Sequence, residues 1–347
     1  LNVAGCSALS TLNLRTNELK SLDLTGLAAL GKVDADNNKL ESLTVTGCAS
    51  LEELCLWNNW LKSLDVSGLG ALLVLDVSLN LLESLNVSGC AGLLELNAGG
   101  NKLTSLEIAD SVRLKTLRVW GNELTSLDLG CLAALENLKA SDNYLTSLDL
   151  SNNLKLRVLD LSYNKLTSLD LSLKYRLTKL NVANNQLTSL DLSHNYYLTK
   201  LNVANNQLTS LGLSDNFYMD EIYVDDNELP LSQLYGLMEV KTLRVGTQYN
   251  VRIPGLSKGG LVTGRQYDIA SEYSFNGVAT EFEFTLDDAT ASPKSDYDLD
   301  DGTLVFRSPG RYRITMNNAE IHDKGIREPH IATAVTDFLE VKPARRK

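Results

Sequence analysis

Asparagine returns every 21 residues along more than two hundred positions of this chain, at Asn17, Asn38, Asn59, Asn80, Asn101, Asn122, Asn143, Asn164, Asn185, Asn206 and Asn227. A residue held at one interval for so long must occupy the same place in stacked structural units, which restricts the fold to a solenoid. Apolar residues keep the same time: Leu12, Val33, Leu54, Leu75, Leu96, Leu117, Leu138, Leu159, Leu180, Leu201 and Ile222 share one position. They stand in apolar-x-apolar triplets, the period of a half-buried strand, so each unit supplies one short strand to a parallel sheet. Past that strand the chain must turn inward, where water cannot reach its backbone groups. The Asn amide carries both a donor and an acceptor and can satisfy them.

Serine at 21, 42, 63, 84, 105, 126, 147, 168, 189 and 210 precedes a second triplet, such as Leu148, Asp149 and Leu150. This predicts short strands on the convex side, because so short a unit leaves no room there for several helical turns. One unit, LTKLNVANNQL from Leu177, resembles the LxxLxLxxNxL consensus of the leucine-rich repeat family. The resemblance recurs in register through residues 1–245, about eleven units of 21 residues, and implies a mainly β solenoid whose parallel sheet lines a concave face.

After Gly246 the period vanishes. Alternating segments at Tyr249 to Ile253, Gln266 to Ala270, Glu281 to Leu286, Thr303 to Phe306, Tyr312 to Met316 and Ala334 to Val341 predict an antiparallel β-sandwich over residues 246–347. Within it, SPGRYRITMNN resembles the strand-entering turn of bacterial immunoglobulin-like domains. No Cys or Trp occurs after residue 245, so this domain must cohere by packing alone. Repeats followed by a sandwich resemble internalins and the leucine-rich repeat surface proteins of Bacteroidetes-type bacteria. That resemblance implies an extracellular or cell-surface protein whose repeats bind a ligand and whose sandwich acts as spacer or rigid cap.

Net charge of -11 disfavours nucleic acid and anionic membranes as partners, since both demand basic patches. The closing Arg345, Arg346 and Lys347 read as a solvated tail. No apolar run is long enough to span a bilayer. The chain starts in mid-unit, so a signal peptide or capping segment is expected upstream. Among five cysteines, Cys6, Cys48 and Cys90 share one repeat position with Leu27 and Leu69, and Cys131 lies one place off it. Two layers, roughly 10 Å, separate successive members, beyond disulfide reach. They are expected as free buried thiols, with Cys55 alone pointing outward.

The outward strand positions carry the binding hypothesis. One row runs Arg15, Asp36, Trp57, Ser78, Gly99, Trp120, Ser141, Ser162, Ala183, Ala204 and Asp225. Solvent-facing tryptophan is unusual without a partner. Its two indoles lie about 15 Å apart along the stack, which points to a protein ligand held by Trp57, Trp120, Asn58, Val74, Leu79, Asp36, Arg118 and Tyr163. Against this, neighbouring apolar side chains can simply shield one another. A polar alternative runs alongside in Asp34, Asp36, Asp76, Asn97, Arg118, Lys139 and Asp160, which with the indoles suits a glycan.

Chemistry of other kinds has little support. Asp296, Asp298 and Asp300 alternate as oxygen ligands do, yet Gly302 falls one place late for a calcium loop and no bidentate Glu follows; an acidic turn is expected. His194, His322 and His330 have no zinc or nucleophile spacing. The expectation is a monomeric, non-enzymatic recognition protein without cofactor or metal, the alternative being the ligand-binding region of a larger secreted enzyme.

Overall fold

The structure is a computed structural model that describes residues 1–253, 256, 261–326 and 330–344. Arg345, Arg346 and Lys347 lie outside the described residues. The chain forms two compact units, one of Leu1–Asn185 with Leu192–Leu198, the other of Gln186–Asp191 with the chain from Thr199 on.

In the first unit, three-residue strands from Thr11–Asn13 to Lys179–Asn181 pair in parallel. Each pairs with the equivalent residues of the next coil, so that Leu54 faces Leu75, Leu75 faces Leu96 and Leu96 faces Leu117. These central leucines are wholly buried, and each stabilises the coil by about 1.5–3 kcal/mol. In the second unit Lys200–Asn202, Glu221–Tyr223 and Thr242–Arg244 pair with one another in the same parallel register.

The asparagine amides join coil to coil. Asn143 Nδ2 lies 2.9 Å from Val119 O of the preceding coil and 3.1 Å from Ser141 O of its own, while Oδ1 accepts the Leu124 N–H at 3.0 Å. Asn59, Asn80, Asn101, Asn122 and Asn164 repeat the arrangement. Asn17, in the first coil, is exposed.

A second row of inward donors runs on the other side of the coil. Cys48 Sγ and Cys90 Sγ each lie 3.2 Å from a carbonyl 24 residues back, Leu24 O and Val66 O. Asn153 and Asn195 take that role later, donating to Leu129 O and Leu171 O. Lys174 occupies the same row, almost fully buried, and burial pushes its pKa down against the pull of Asp170 and Asp149.

The convex strands differ from expectation. Ser21–Asp23 pairs Ser42–Thr44, and Ser63–Asp65 pairs Ser84–Asn86, but among the described residues the later serine triplets form no strand. Glycine explains the difference. Gly26, Gly47, Gly68 and Gly89 adopt positive φ, and a Cβ on Gly47 or Gly89 would sit 3.3 Å from the glycine one coil earlier. Only glycine tolerates both demands. Asp110, Cys131, Asn152 and Leu173 hold that place in later coils.

The cysteines also differ. All five are free, and Cys48 and Cys90 are buried, but Cys6 and Cys131 are exposed and Cys55 is only half-buried. Cys6 lies in the first coil, where nothing in the unit covers it, and Cys131 is displaced by one residue from the inward row. Burial raises the Cys48 and Cys90 thiols, and pushes Cys55 to about 11 with help from Asp36 and Asp34. The thiolate is the reactive form. An aromatic disulfide reagent at neutral pH should therefore label Cys6 and Cys131 quickly and the other three only on unfolding; rapid labelling of all five would contradict this packing.

In the second unit the coil passes into antiparallel sheet. Glu281–Leu286 and Thr303–Phe306 form at the expected bounds, and the expected Tyr312–Met316 is the middle of a longer strand, Gly310–His322. The latter pairs Glu281–Leu286 on one side, and Ile331–Val335 and Leu339–Lys342 on the other. Gln266–Asp268, Thr303–Phe306 and Tyr297–Asp300 make a separate sheet. Phe306 and Tyr312, 4.7 Å apart between centroids, pack one sheet on the other.

Three expected segments change. Tyr249 to Ile253 is not a strand, because Asn250 turns the chain at φ 51°. Gln266 to Ala270 stops at Asp268 and gives way to the short helix Ala270–Tyr273. Ala334 to Val341 breaks at Thr336, whose hydroxyl accepts the Ile314 N–H.

The acidic segment is a hairpin. Asp296 accepts from Ser292 N and Ser308 Oγ, Asp298 pairs with Arg307, and Asp300 ends its strand. The Asp296 and Asp298 carboxylates are tied to separate partners, and among the described residues no group of three potential metal ligands comes together. No helix among them is long and apolar enough to cross a membrane.

Candidate ligand-binding surface

Each coil leaves its sheet through a residue in the left-handed region immediately before the ladder asparagine: Thr16, Asn37, Asn58, Leu79, Gly100, Gly121, Asp142, Tyr163 and Asn184. The asparagine points inward, so its two neighbours in sequence point out. Glycine, Asn and Asp adopt positive φ readily. Leu79 and Tyr163 do not, and at φ 52° and 54° each carries about 1–2 kcal/mol of strain. Both are nevertheless exposed, by 40% and 60%.

Leu79 belongs to a cluster. A Cβ on Gly99 would fall 2.3 Å from Trp120 Cε2, and one on Gly100 would fall 2.5 Å from Leu79 Cδ2 and 3.4 Å from Trp120 Cη2. The indole therefore lies across the two glycines of the preceding coil, with the Leu79 methyls at its border. Trp120 is half-buried by this seat.

Trp57 stands three coils away, half-buried, its backbone N–H donated to Asp36 Oδ1 at 2.8 Å. Between the two tryptophans the row holds only small buried residues, Ser78 and the Gly99 that the Trp120 indole covers. Exposed Trp60, Leu79 and Leu81 extend the apolar surface onto the turn rim, since they flank the buried Asn59 and Asn80. Val74 is half-buried in the sheet between Glu53 and Glu95 of the adjoining coils.

The remaining residues separate into supports and outliers. Asp36 is buried; burial raises its pKa, while the Trp57 N–H and the Arg15 guanidinium 3.5 Å away oppose that shift. It serves the backbone of the Trp57 coil and is not open to a ligand. Asn58 is exposed and donates to Asn37 Oδ1 at 2.8 Å. Arg118, 3.8 Å from Glu95, is screened by solvent. Tyr163 is not brought to the indoles; it accompanies exposed Tyr144, whose ring lies 4.8 Å from Lys165 Nζ. Sequence reasoning overlooked Tyr144 because it follows the ladder residue and lies off the tryptophan row. It also overlooked the outer turns, where Tyr175, Tyr196 and Tyr197 are exposed and His194 lies 6.1 Å from Tyr175.

Comparison with known proteins agrees with this coil. The Leucine Rich Repeat family model matches residues 155–174. Among curated proteins none matches the chain. The functional domain of InlJ from Listeria monocytogenes, described as including a cysteine ladder, aligns at 21% identity over 98% of this chain and 88% of its own, with a TM-score of 0.53. YopM from Yersinia enterocolitica aligns at 27% identity over 73% of this chain and 55% of its own, with a TM-score of 0.60. YopM from Yersinia pestis, described as a leucine-rich effector protein, aligns at 27% identity over 70% and 68%, with a TM-score of 0.59. The chain is thus similar to bacterial leucine-rich repeat proteins, and its fold is a mainly β solenoid of parallel strands followed by antiparallel sheet.

Proposed function

We propose that this chain is a non-enzymatic recognition protein, exported to the cell surface or secreted by a bacterium, that holds a protein ligand on the concave sheet face and its turn rim in the manner of an adhesin. The observation that carries the reading is the Leu79, Gly99, Gly100 and Trp120 cluster. Strain at Leu79 and a pair of glycines cleared for an indole cost stability, and neither improves the core. They leave a rigid apolar anchor in solvent, the kind of group that dominates protein interfaces when buried by a partner. Trp57, Trp60 and Leu81 lengthen the patch toward the first coils.

The antiparallel region then acts as an immunoglobulin-like spacer. Tyr312 supports that part of the reading: it is fully buried, with its hydroxyl 2.9 Å from Ser308 O and 2.7 Å from Asp296 O. A tyrosine tying its strand to backbone a few residues upstream is a device of such sandwiches.

The test is direct binding of the purified chain to immobilised fibronectin, laminin and collagen. Where one of these binds, Trp120→Ala and Leu79→Asp should each weaken it by at least about 10-fold, as expected for hot-spot residues, while Lys155→Ala on the outer turns leaves it unchanged. Equal binding by all the variants would overturn the site.

A further inference from the structure

The antiparallel region holds a cleft of about 650 Å³ that the recognition surface does not use. Its base is a row of four rings. Tyr273 ends the short helix, Phe282 and Phe284 come from one face of Glu281–Leu286, and Tyr297 opens Tyr297–Asp300. Successive centroids lie 6.2, 6.3 and 3.9 Å apart, with interplanar angles of 24°, 27° and 23°. Phe284 is buried and serves as the footing, whereas Tyr273, Phe282 and Tyr297 are only half-buried. The rim is polar and of both signs, with Lys294 set against Asp298 and Asp300.

We propose that this cleft binds the sugar rings of a neutral polysaccharide. Three observations converge. Half-open aromatic faces are electron-rich and attract the slightly positive C–H groups on the flat side of a pyranose. Hydroxyls of the same ring both donate and accept, and so match carboxylates and an ammonium standing together. A cationic ligand would meet Lys294, and an anionic one would meet both aspartates. Asp298 is held in place by Arg307, which removes the cost of fixing it on binding.

An extended peptide is less suited to the cleft, although Tyr297–Asp300 is an edge strand. The Tyr297 carbonyl already accepts the Lys294 N–H at 2.6 Å, and the Phe284 carbonyl accepts the Ala291 N–H at 2.9 Å. A backbone position that an added strand would use at the start of that edge is thus occupied. The cleft volume falls within the range of small-molecule sites, about 300–1,000 Å³.

Calorimetric titration of the whole chain with cellohexaose, mannohexaose, xylohexaose and laminarihexaose tests this, with hexagalacturonate and an arginine-rich decapeptide as charged comparators. At least one neutral hexasaccharide should bind, and Phe282→Ala should weaken it by 10-fold or more. Asp300→Asn, at an exposed strand end, should weaken it several-fold with the fold intact by circular dichroism. Trp120→Ala should change nothing, which separates this site from the recognition surface. Binding of the charged comparators alone, loss of saccharide binding in Trp120→Ala but not Phe282→Ala, or no binding by any neutral hexasaccharide at millimolar concentration would overturn the proposal.

Discussion

Asn143→Ala should lower the stability of the repeat coil by about 1–3 kcal/mol, because the change strands the Leu124 N–H, and a buried group left unpaired costs about that much. That N–H is held by this one amide at 3.0 Å, whereas the Val119 carbonyl, 2.9 Å from Asn143 Nδ2, keeps Asn122 Nδ2 as a second donor at 3.1 Å. A methyl group in its place supplies no partner, and the side chain is too deeply buried for water to substitute freely. Lys165→Ala, in the next coil and exposed, loses only a contact with the Tyr144 ring and should stay within about 0.5 kcal/mol. Urea denaturation of the two variants decides the matter, with amide exchange at Leu124 as a local readout. Equal midpoints, with Leu124 still protected in Asn143→Ala, would mean that the amide does not join the coils.

The ladder was legible because its chemistry has few substitutes. A buried donor and acceptor on a short arm means Asn, and a fixed interval makes it visible. The convex strands were less legible, since Ser147, Leu148 and Asp149 repeat the pattern of Ser42, Leu43 and Thr44 without its neighbouring glycine. What decides pairing there is whether Gly26 and Gly47 can touch, a contact between coils that no single unit reveals.

At the candidate site the rows of Trp57 and Trp120 could be read from alternation. The burial of Asp36 could not, since it depends on the Trp57 N–H 21 residues away. Likewise Leu79 was an apolar residue in a turn until its φ and the glycine seat beneath Trp120 were known. In the antiparallel region Glu281–Leu286 announced itself by alternation, whereas Gly310–His322 runs on through Asn317 and Asn318 past a register shift. Those polar residues would ordinarily mark an end. Asn318 instead donates to Val278 O at 2.9 Å and is buried by that contact.

Gln248 is the residue whose loss should do most damage in the second unit. It stands 21 residues beyond Asn227 and is fully buried. Its Nε2 lies 3.0 Å from Val224 O and 2.7 Å from Val245 O, and its Oε1 accepts the Leu229 N–H at 3.1 Å. These are the bonds of a ladder asparagine, made by a longer arm. The reason lies in the turn: Asp226 takes the left-handed conformation immediately before Asn227, but here Gly246 takes it two residues before Gln248. The backbone has slipped by one residue, and the extra methylene spans the difference. Thr247–Gln248 meanwhile pairs with Ile331–Val335, so the same residue ties the last coil to the antiparallel sheet. Gln248→Ala should therefore cost at least about 2 kcal/mol, by the same cost per stranded group as at Asn143. It should also split thermal unfolding into two steps, the antiparallel region melting first. Gln248→Asn keeps the chemistry but shortens the reach, and should fail to restore a single transition. Full recovery in Gln248→Asn would show that the slip in the turn is not what selects glutamine.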